Sequence, residues 1–501
     1  MTEAPANLRV DRPLHFLIAL FVLEIVAFAL LQYGVPTGLQ SLWATGKLDT
    51  LPFATALFGH AVRPLTPGAF RIAFRVLLVA LYAVYAAILL RLSANSSITP
   101  RRALTIVIVT GAAIAILFPA SLSSDLYSYV AYAKLPGYHL NPYFHSPRVL
   151  IDAGDPMAGF LPRSIRDPSK HRIAWDIPTV YGPVWTALSI GVVRMIGASQ
   201  LWLALLGMKL IELGALMVAS MSAGRITRRQ YPDRIGAAIL TIGLNPLALI
   251  EGVGSGHNDL LMIAFALLAA ALLQERKPLL GGLALGVSIG VKFVTLALLP
   301  WLLIDLWKSS QPKMARVSAM AAFCAGAAAP VILCFAPFWH GLATLGALAN
   351  RNQVIQKAGA SATDASHGLH HGVLFSALHE HQTILILYAA LTIAVALFRI
   401  RDGWVWAWTI FSSAFIYYSM GIWFPWYLLW PWLVMLACGA RTPGRAVIAF
   451  AIGAVALTLT TFYTIASGAY ALRLLEAVFY LCAAGSGLYF IGILRRRRVA
   501  E

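Results

Sequence analysis

Charge is what this chain has least of. Asp, Glu, Lys and Arg make up 12% of its 501 residues, and only 20 of them are acids. Set against 59% apolar residues and a mean hydropathy of +0.76, that shortage excludes a soluble globular protein, in which about 25% of residues are charged. Cysteine is also sparse: Cys324, Cys334, Cys438 and Cys482 all lie in apolar segments. Cys324 and Cys334 are ten residues apart on one expected helix, about 15 Å along its axis, too far to bridge. A disulfide framework and a zinc-ligand spacing are both missing. So is any stretch polar and alternating enough for a cytoplasmic nucleotide-binding domain. Residues 252–256 (GVGSG) form a G-x-G-x-G run, but they sit in a membrane segment without the preceding strand that a dinucleotide site needs. No internal repeat marks the paired halves of a transporter.

What is present is about fifteen apolar segments, from residues 14–33 to 471–494. Several are too short for a full crossing. The expected fold is therefore all-α and polytopic, with about 13–14 transmembrane helices plus re-entrant or half-helices packed inside the protein. The N-terminal MTEAPANLRVDRP carries equal numbers of acids and bases and no evident cleavage site, so residues 14–33 read as an uncleaved first span. The net charge of +18 is a matter of placement. The short linkers near 93–102, 223–234, 275–278, 308–316, 399–403, 440–445 and 495–501 hold nineteen Lys or Arg against four acids. That asymmetry places them in the cytoplasm and excludes a nucleic-acid partner; Arg495–Arg498 suits anionic inner-leaflet lipid. Loops 121–178 and 338–381 then face outward. Two apolar segments, 180–197 and 199–222, lie between Ala120 and Arg225, where an odd number of crossings is required; one is expected to be re-entrant.

The densest information lies in residues 123–147, SSDLYSYVAYAKLPGYHLNPYFHSP, directly after the third span. Asp125 opens an aromatic-rich helix at the membrane boundary, with Tyr129 one turn on, and Gly137, Asn141 and Pro142 build the turn that ends it. A lone acid with tyrosines on its face at that depth suggests a reaction site served from the lipid. An alternative is a carboxylate held at a helix N-terminus by the macrodipole, with Ser123 or Ser124 as cap.

In order along the chain, D-x-Y-x-Y (Asp125–Tyr129), Gly137 with Asn141-Pro142-Tyr143, and Tyr181-Gly182-Pro183 resemble the GT-C superfamily of integral-membrane glycosyltransferases. The GHND at Gly256–Asp259, Lys292 and the PWY at Pro425–Tyr427 are similar to bacterial polyprenyl-phosphate-mannose-dependent α-mannosyltransferases. The resemblance covers roughly residues 103–440. It divides the chain into two N-terminal helices (1–102), a catalytic membrane core (103–440) and C-terminal helices with a basic tail (441–501). Many of its members carry two acids as D-x-D or E-x-D, whereas Ser123 here stands two residues before Asp125; the expectation is no metal and no cofactor.

The resemblance implies a polyprenyl-phosphate-sugar donor, with mannose the expected hexose, and a glycan or glycolipid acceptor. Transfer would invert the anomeric centre, at the non-cytoplasmic face of the plasma (inner) membrane. Asp125 is the expected general base, with Tyr127, Tyr129, Asn141, Tyr143, Tyr181, His257 and Asn258 against the substrate; His257, Asn258 and Asp259, with Glu251 nearby, are alternatively expected to support the base. Arg163, Arg166, Lys170 and Arg172 are the candidate donor-phosphate contacts, unless they form an ordinary solvated patch. Lys292 joins them because an ionisable group interrupting an apolar pair usually lines a cavity, with snorkelling to the interface as the alternative. Asn258 or Asp259 alternatively caps the helix that follows. Lys209 and Glu212, three apart, are expected to form a buried ion pair. The loop histidines His367, His370, His371, His379 and His381 suggest a flap over the acceptor, with a structural metal as the lesser alternative. WFPWYLLWPW (423–432) is expected to be an interfacial aromatic belt, with a sugar-stacking platform as the alternative. The rival functions are a lipid-linked-sugar flippase and, with less support, a membrane-bound O-acyltransferase.

Overall fold

The computed structural model describes residues 11–34, 65–93, 98–119, 122–123, 125–160, 178–197, 200–309, 312–344, 380–398, 402–419 and 424–438, with a few positions between 449 and 456. Among the described residues the architecture is helical throughout, apart from one isolated bridge between His340 and Leu342. Among the described residues, five helical segments are long and apolar enough to cross a bilayer: Arg12–Gly34, Pro67–Ser93, Pro100–Leu117, Leu201–Arg228 and Lys313–Phe338. The pair Pro232–Gly243 and Ala248–Gly254, bent by 64°, forms a broken span or a re-entrant loop, and seven shorter apolar helices of 10–17 residues accompany them among the described residues. The protein is thus an all-α polytopic membrane protein.

The helix starts follow local chemistry. Helix α1 (Arg12–Leu31) is capped by Asp11, whose carboxylate accepts from the Leu14 N–H at 3.2 Å. Helix α2 (Pro67–Ser93) packs along it, and α3 (Pro100–Leu117) begins with Thr99 as cap and a proline in its first turn. Short helix α4 (Asp125–Lys134) carries the D-x-Y-x-Y run, with the Ser123 hydroxyl accepting from the Asp125 N–H at 3.1 Å. Helix α5 (Pro183–Ile196) has 14 residues, about 21 Å of rise against a hydrocarbon core of about 30 Å. It is therefore the shorter of the two segments between which the expected re-entrant piece had to be chosen. Helix α6 (Leu201–Arg228) forms the central post, flanked by α7 (Ile235–Gly243). Pro246 cannot continue α7, and the Asn245 side chain instead accepts from the Ala248 N–H at 3.0 Å to start a π-helical turn, Ala248–Gly254.

Helix α8 (Asp259–Gln274) lies against α6, and α9 (Pro278–Val291) against α8. Gly282, Gly286 and Gly290 repeat every four residues on α9. A Cβ at Gly282 would lie 2.2 Å from the Phe323 carbonyl oxygen, and one at Gly286 would lie 2.4 Å from that of Ala327. This small-residue stripe draws α9 and α11 (Lys313–Phe335) together backbone to backbone, after the intervening α10 (Leu298–Trp307). Helices α12 (Glu380–Leu397), α13 (Gly403–Ser419) and α14 (Leu429–Ala437) complete the described set. Most of residues 446–466 and all of 471–494 lie outside the described residues.

One expectation is corrected here. Lys209 and Glu212 share a face of α6 but do not pair. The Lys209 ammonium donates to the Phe118 carbonyl at the end of α3, and Glu212 accepts from the Leu261 N–H on α8 at 3.0 Å. Each side chain meets a backbone group that another helix terminus leaves open, which competes successfully with an i,i+3 partner.

Candidate active site

Three segments converge where α4 begins. Gly256 adopts φ +71°, and a Cβ there would come within 2.6 Å of Leu126; this lets the chain turn from the π-helical segment into α8 directly beside α4. Gly182 of the YGP motif donates its N–H to the Val291 carbonyl at 2.9 Å, and a Cβ at residue 182 would lie 2.3 Å from the Gly290 carbonyl oxygen. The two contacts bring Asp125, His257 and Lys292 into one region from widely separated parts of the chain.

Asp125 sits with its side chain 15% exposed, and its Oδ2 is 3.5 Å from Nδ1 of the fully buried His257. On the other side of the ring, Nε2 is 3.6 Å from Glu251 Oε2. The imidazole lies flat on Trp426, centroids 3.8 Å apart and planes 16° apart. Next to it, Asp259 is completely buried; it accepts from Trp430 Nε1 and pairs with Lys292 Nζ at 2.7 Å. The Lys292 ammonium, on a side chain 18% exposed, stands 5.3 Å from the Tyr427 ring centroid and 5.8 Å from that of Trp430.

The aromatic run is thereby corrected. Trp426, Tyr427, Trp430 and Trp432 are buried inside the protein rather than ringing its perimeter, so they do not form an interfacial belt. Their apolar faces build one wall of the site, and the Trp430 indole fixes Asp259.

The tyrosines form a second wall. Tyr129 meets Tyr181 and Trp185 edge-on, with centroids 4.8 and 4.9 Å apart, and Tyr132 approaches Tyr181 at 6.3 Å. Burial, together with nearby Asp125, Asp259 and Glu212, pushes the Tyr129 phenol well above its usual range, so it remains a neutral hydroxyl. Tyr181 is pushed up by burial and by Asp125 in the same way. Tyr127 is buried in the same short helix.

Asn141 and Tyr143 serve the loop's architecture. The Asn141 amide donates to the Phe338 carbonyl at 3.0 Å, and its oxygen accepts from the Tyr143 N–H at 2.9 Å. Tyr143 donates its hydroxyl to the Tyr181 carbonyl at 3.1 Å. The NPY motif thus fastens the outer loop to the end of α11 and to the YGP segment. A buried pair holds the same loop from below: Lys134 Nζ is 2.6 Å from Asp155, whose other oxygen accepts from the Tyr138 hydroxyl at 2.7 Å. Asn258 precedes α8 as its cap residue, but its side chain makes no cap hydrogen bond and is buried beside His257.

Of the residues expected from sequence, Asp125, Tyr129, Tyr181, His257, Asn258 and Lys292 gather around the start of α4 and α8. Arg163, Arg166, Lys170 and Arg172 lie outside the described residues, as do His367, His370, His371, His379 and the side chain of His381. Sequence reasoning noted Glu251 only as a neighbour and gave Trp185 no role, while Trp426 and Trp430 entered only as part of the 423–432 run. The one signal for Glu251 was a single acid in the apolar run LNPLALIEGVG.

Comparison with known proteins bears on this region directly. Residues 112–308 match the family model described as alpha-(1->6)-mannopyranosyltransferase, N-terminal domain. Over 349 residues the chain is 25% identical to alpha-(1->6)-mannopyranosyltransferase A of Mycobacterium tuberculosis, an alignment covering 66% of this chain and 63% of that relative. The chain thus matches less than two thirds of the relative's length. No solved structure matches. The enzyme class that the motifs resembled is the one found, and the matched stretch contains Asp125, Glu251, His257, Asp259 and Lys292. The aromatic wall at 426–430 falls beyond the family model's limits.

Proposed function

We propose that the chain transfers a mannosyl residue from a polyprenyl-phosphate donor to a glycan or glycolipid acceptor, a reading supported by the match of residues 112–308 to the alpha-(1->6)-mannopyranosyltransferase model. The observation that carries the reading is selective exposure. Of the four acids gathered at the site, only the Asp125 side chain reaches an open surface, at 15%; Glu212, Glu251 and Asp259 are buried. Lys292, the nearby cation, is partly open as well.

The chemistry follows from those two groups. The acceptor hydroxyl gives its proton to the Asp125 carboxylate as its oxygen bonds to the anomeric carbon. The bond from that carbon to the phosphate oxygen breaks, and the electron pair leaves with the phosphate. A single displacement of this kind inverts the anomeric centre. Charge building on the departing phosphate needs a fixed cation, which Lys292 supplies at the end of α9. The loop cations Arg163, Arg166, Lys170 and Arg172 belong to the same role in this reading. Tyr129 and Tyr181 present neutral hydroxyls and ring faces to the sugar, while Asn141 and Tyr143 hold the loop that frames the entrance. The donor's lipid tail lies in the bilayer, and the reaction takes place on the outer face of the plasma membrane.

The test is mannose transfer from a synthetic polyprenyl-phosphate-mannose by the purified full chain, compared with Asp125→Asn. Transfer by the native chain and a loss of about 10²- to 10⁴-fold in the variant are expected, the range for a general base. Equal transfer by both removes Asp125 from the chemistry; no transfer by the native chain rejects this donor.

A further inference from the structure

His257 has an unusual setting. It is fully buried, its two ring nitrogens face two different carboxylates at 3.5 and 3.6 Å, and neither nitrogen has a hydrogen-bond partner. Glu251 Oε2, the atom facing Nε2, is likewise buried and without one. Both separations lie just past the usual N–H···O range, so small carboxylate shifts close them.

The two separations run to opposite edges of the ring, so the imidazole bridges the carboxyl groups of Asp125 and Glu251. The ring lies on the face of Trp426, which in turn stacks on Phe424 at 4.4 Å, so it has little room to turn. Among the described residues, the neighbouring charges already have partners: Asp259 pairs with Lys292, and Glu212 accepts from the Leu261 N–H.

We infer that His257, held in place by Glu251 and Trp426, is the positioning residue that orients the Asp125 carboxylate. Glu251 acts only through His257. The inference rests on the reading of Asp125 as base and extends it: the second acid that this chain lacks beside Asp125 is supplied from the π-helical turn, with an imidazole in between.

The first test does not need a donor. In the full chain labelled with ¹⁵N-histidine, the His257 signals are assigned by their loss in His257→Gln. The ring-nitrogen signals are expected to shift in Asp125→Asn and again in Glu251→Gln. Signals indifferent to either variant overturn the inference. The second test is transfer kinetics. His257→Gln and Glu251→Gln should each lower kcat roughly 10- to 100-fold, the scale for groups that orient a functional residue, with donor KM unchanged. The double variant should be no slower than His257→Gln. Additive losses, or effects confined to KM, overturn it. Full transfer by Asp125→Asn rejects the base assignment by itself, because the ring signature is read without turnover.

Discussion

At the scale of the residue, the site shows which side chains had legible partners and which did not. Asp125 was legible because it opens a tyrosine-spaced helix at a boundary where acids are rare. Lys209 and Glu212 were legible as buried but not as to partner, since spacing on one helix says nothing of the carbonyl of Phe118 or the N–H of Leu261 arriving from elsewhere. Lys292 is the most directly testable of the cations. Lys292→Met removes the charge proposed to hold the departing phosphate and leaves Asp259 buried without its counter-ion. Loss of transfer by about 10²-fold or more is expected in an assay with saturating donor. Asp155 makes a separate prediction about stability. Burial raises its pKa, but hydrogen bonds from Lys134, Tyr138 and the Met157 N–H outweigh that and hold the carboxyl below its usual value. A depressed folded-state pKa contributes stability above the unfolded value of about 3.9 and loses it as pH falls further, through the folded value. Thermal unfolding of the native chain should therefore show an acid-sensitive component that Asp155→Asn lacks. At pH 7 the variant should be less stable by about 3 kcal/mol, since it strands the Lys134 ammonium without its carboxylate.

At the scale of the element, the apolar runs marked the helices well, and the breaks between them were harder to read. The glycines were visible in the sequence of α9, yet their four-residue spacing acquires meaning only from the carbonyls of Phe323 and Ala327 that fill the gap. The aromatic run at 423–432 was misplaced for a related reason: tryptophans that line a site and tryptophans that ring a membrane have the same composition. Lys292 directly follows the last residue of α9, so the packing of that helix sets where the ammonium stands. Gly286→Val should force α9 and α11 apart, because even a Cβ there lies 2.4 Å from a carbonyl oxygen and 2.8 Å from Pro330. Loss of transfer together with a lowered melting temperature is expected, whereas Gly68→Ala, with nothing within 4 Å of its added carbon, should alter neither. An unchanged melting temperature in Gly286→Val would show that the close crossing is not required.

At the scale of the whole molecule, orientation decides whether the site can meet a lipid-linked sugar where the acceptor is. The basic linkers and the Asp125 loop fall on opposite sides of the expected topology, and the short α5 settles the odd crossing only if it does not traverse. Two exposed positions separate the possibilities: Asp152, in the outer loop, and Asp233, between α6 and α7. In a chain whose Cys324, Cys334, Cys438 and Cys482 are replaced by alanine, Asp152→Cys should react with a membrane-impermeant maleimide in intact cells. Asp233→Cys should react only after the membrane is opened. Both cysteines labelled from one side would mean that α5 crosses fully and that the crossings between Ala120 and Arg225 are even in number. The basic 223–234 linker would then share a face with Asp125, against the charge asymmetry that orients every other linker. The asymmetry of nineteen cations to four acids makes that outcome costly, which is why a half-length α5 and an outward-facing Asp125 stand or fall together.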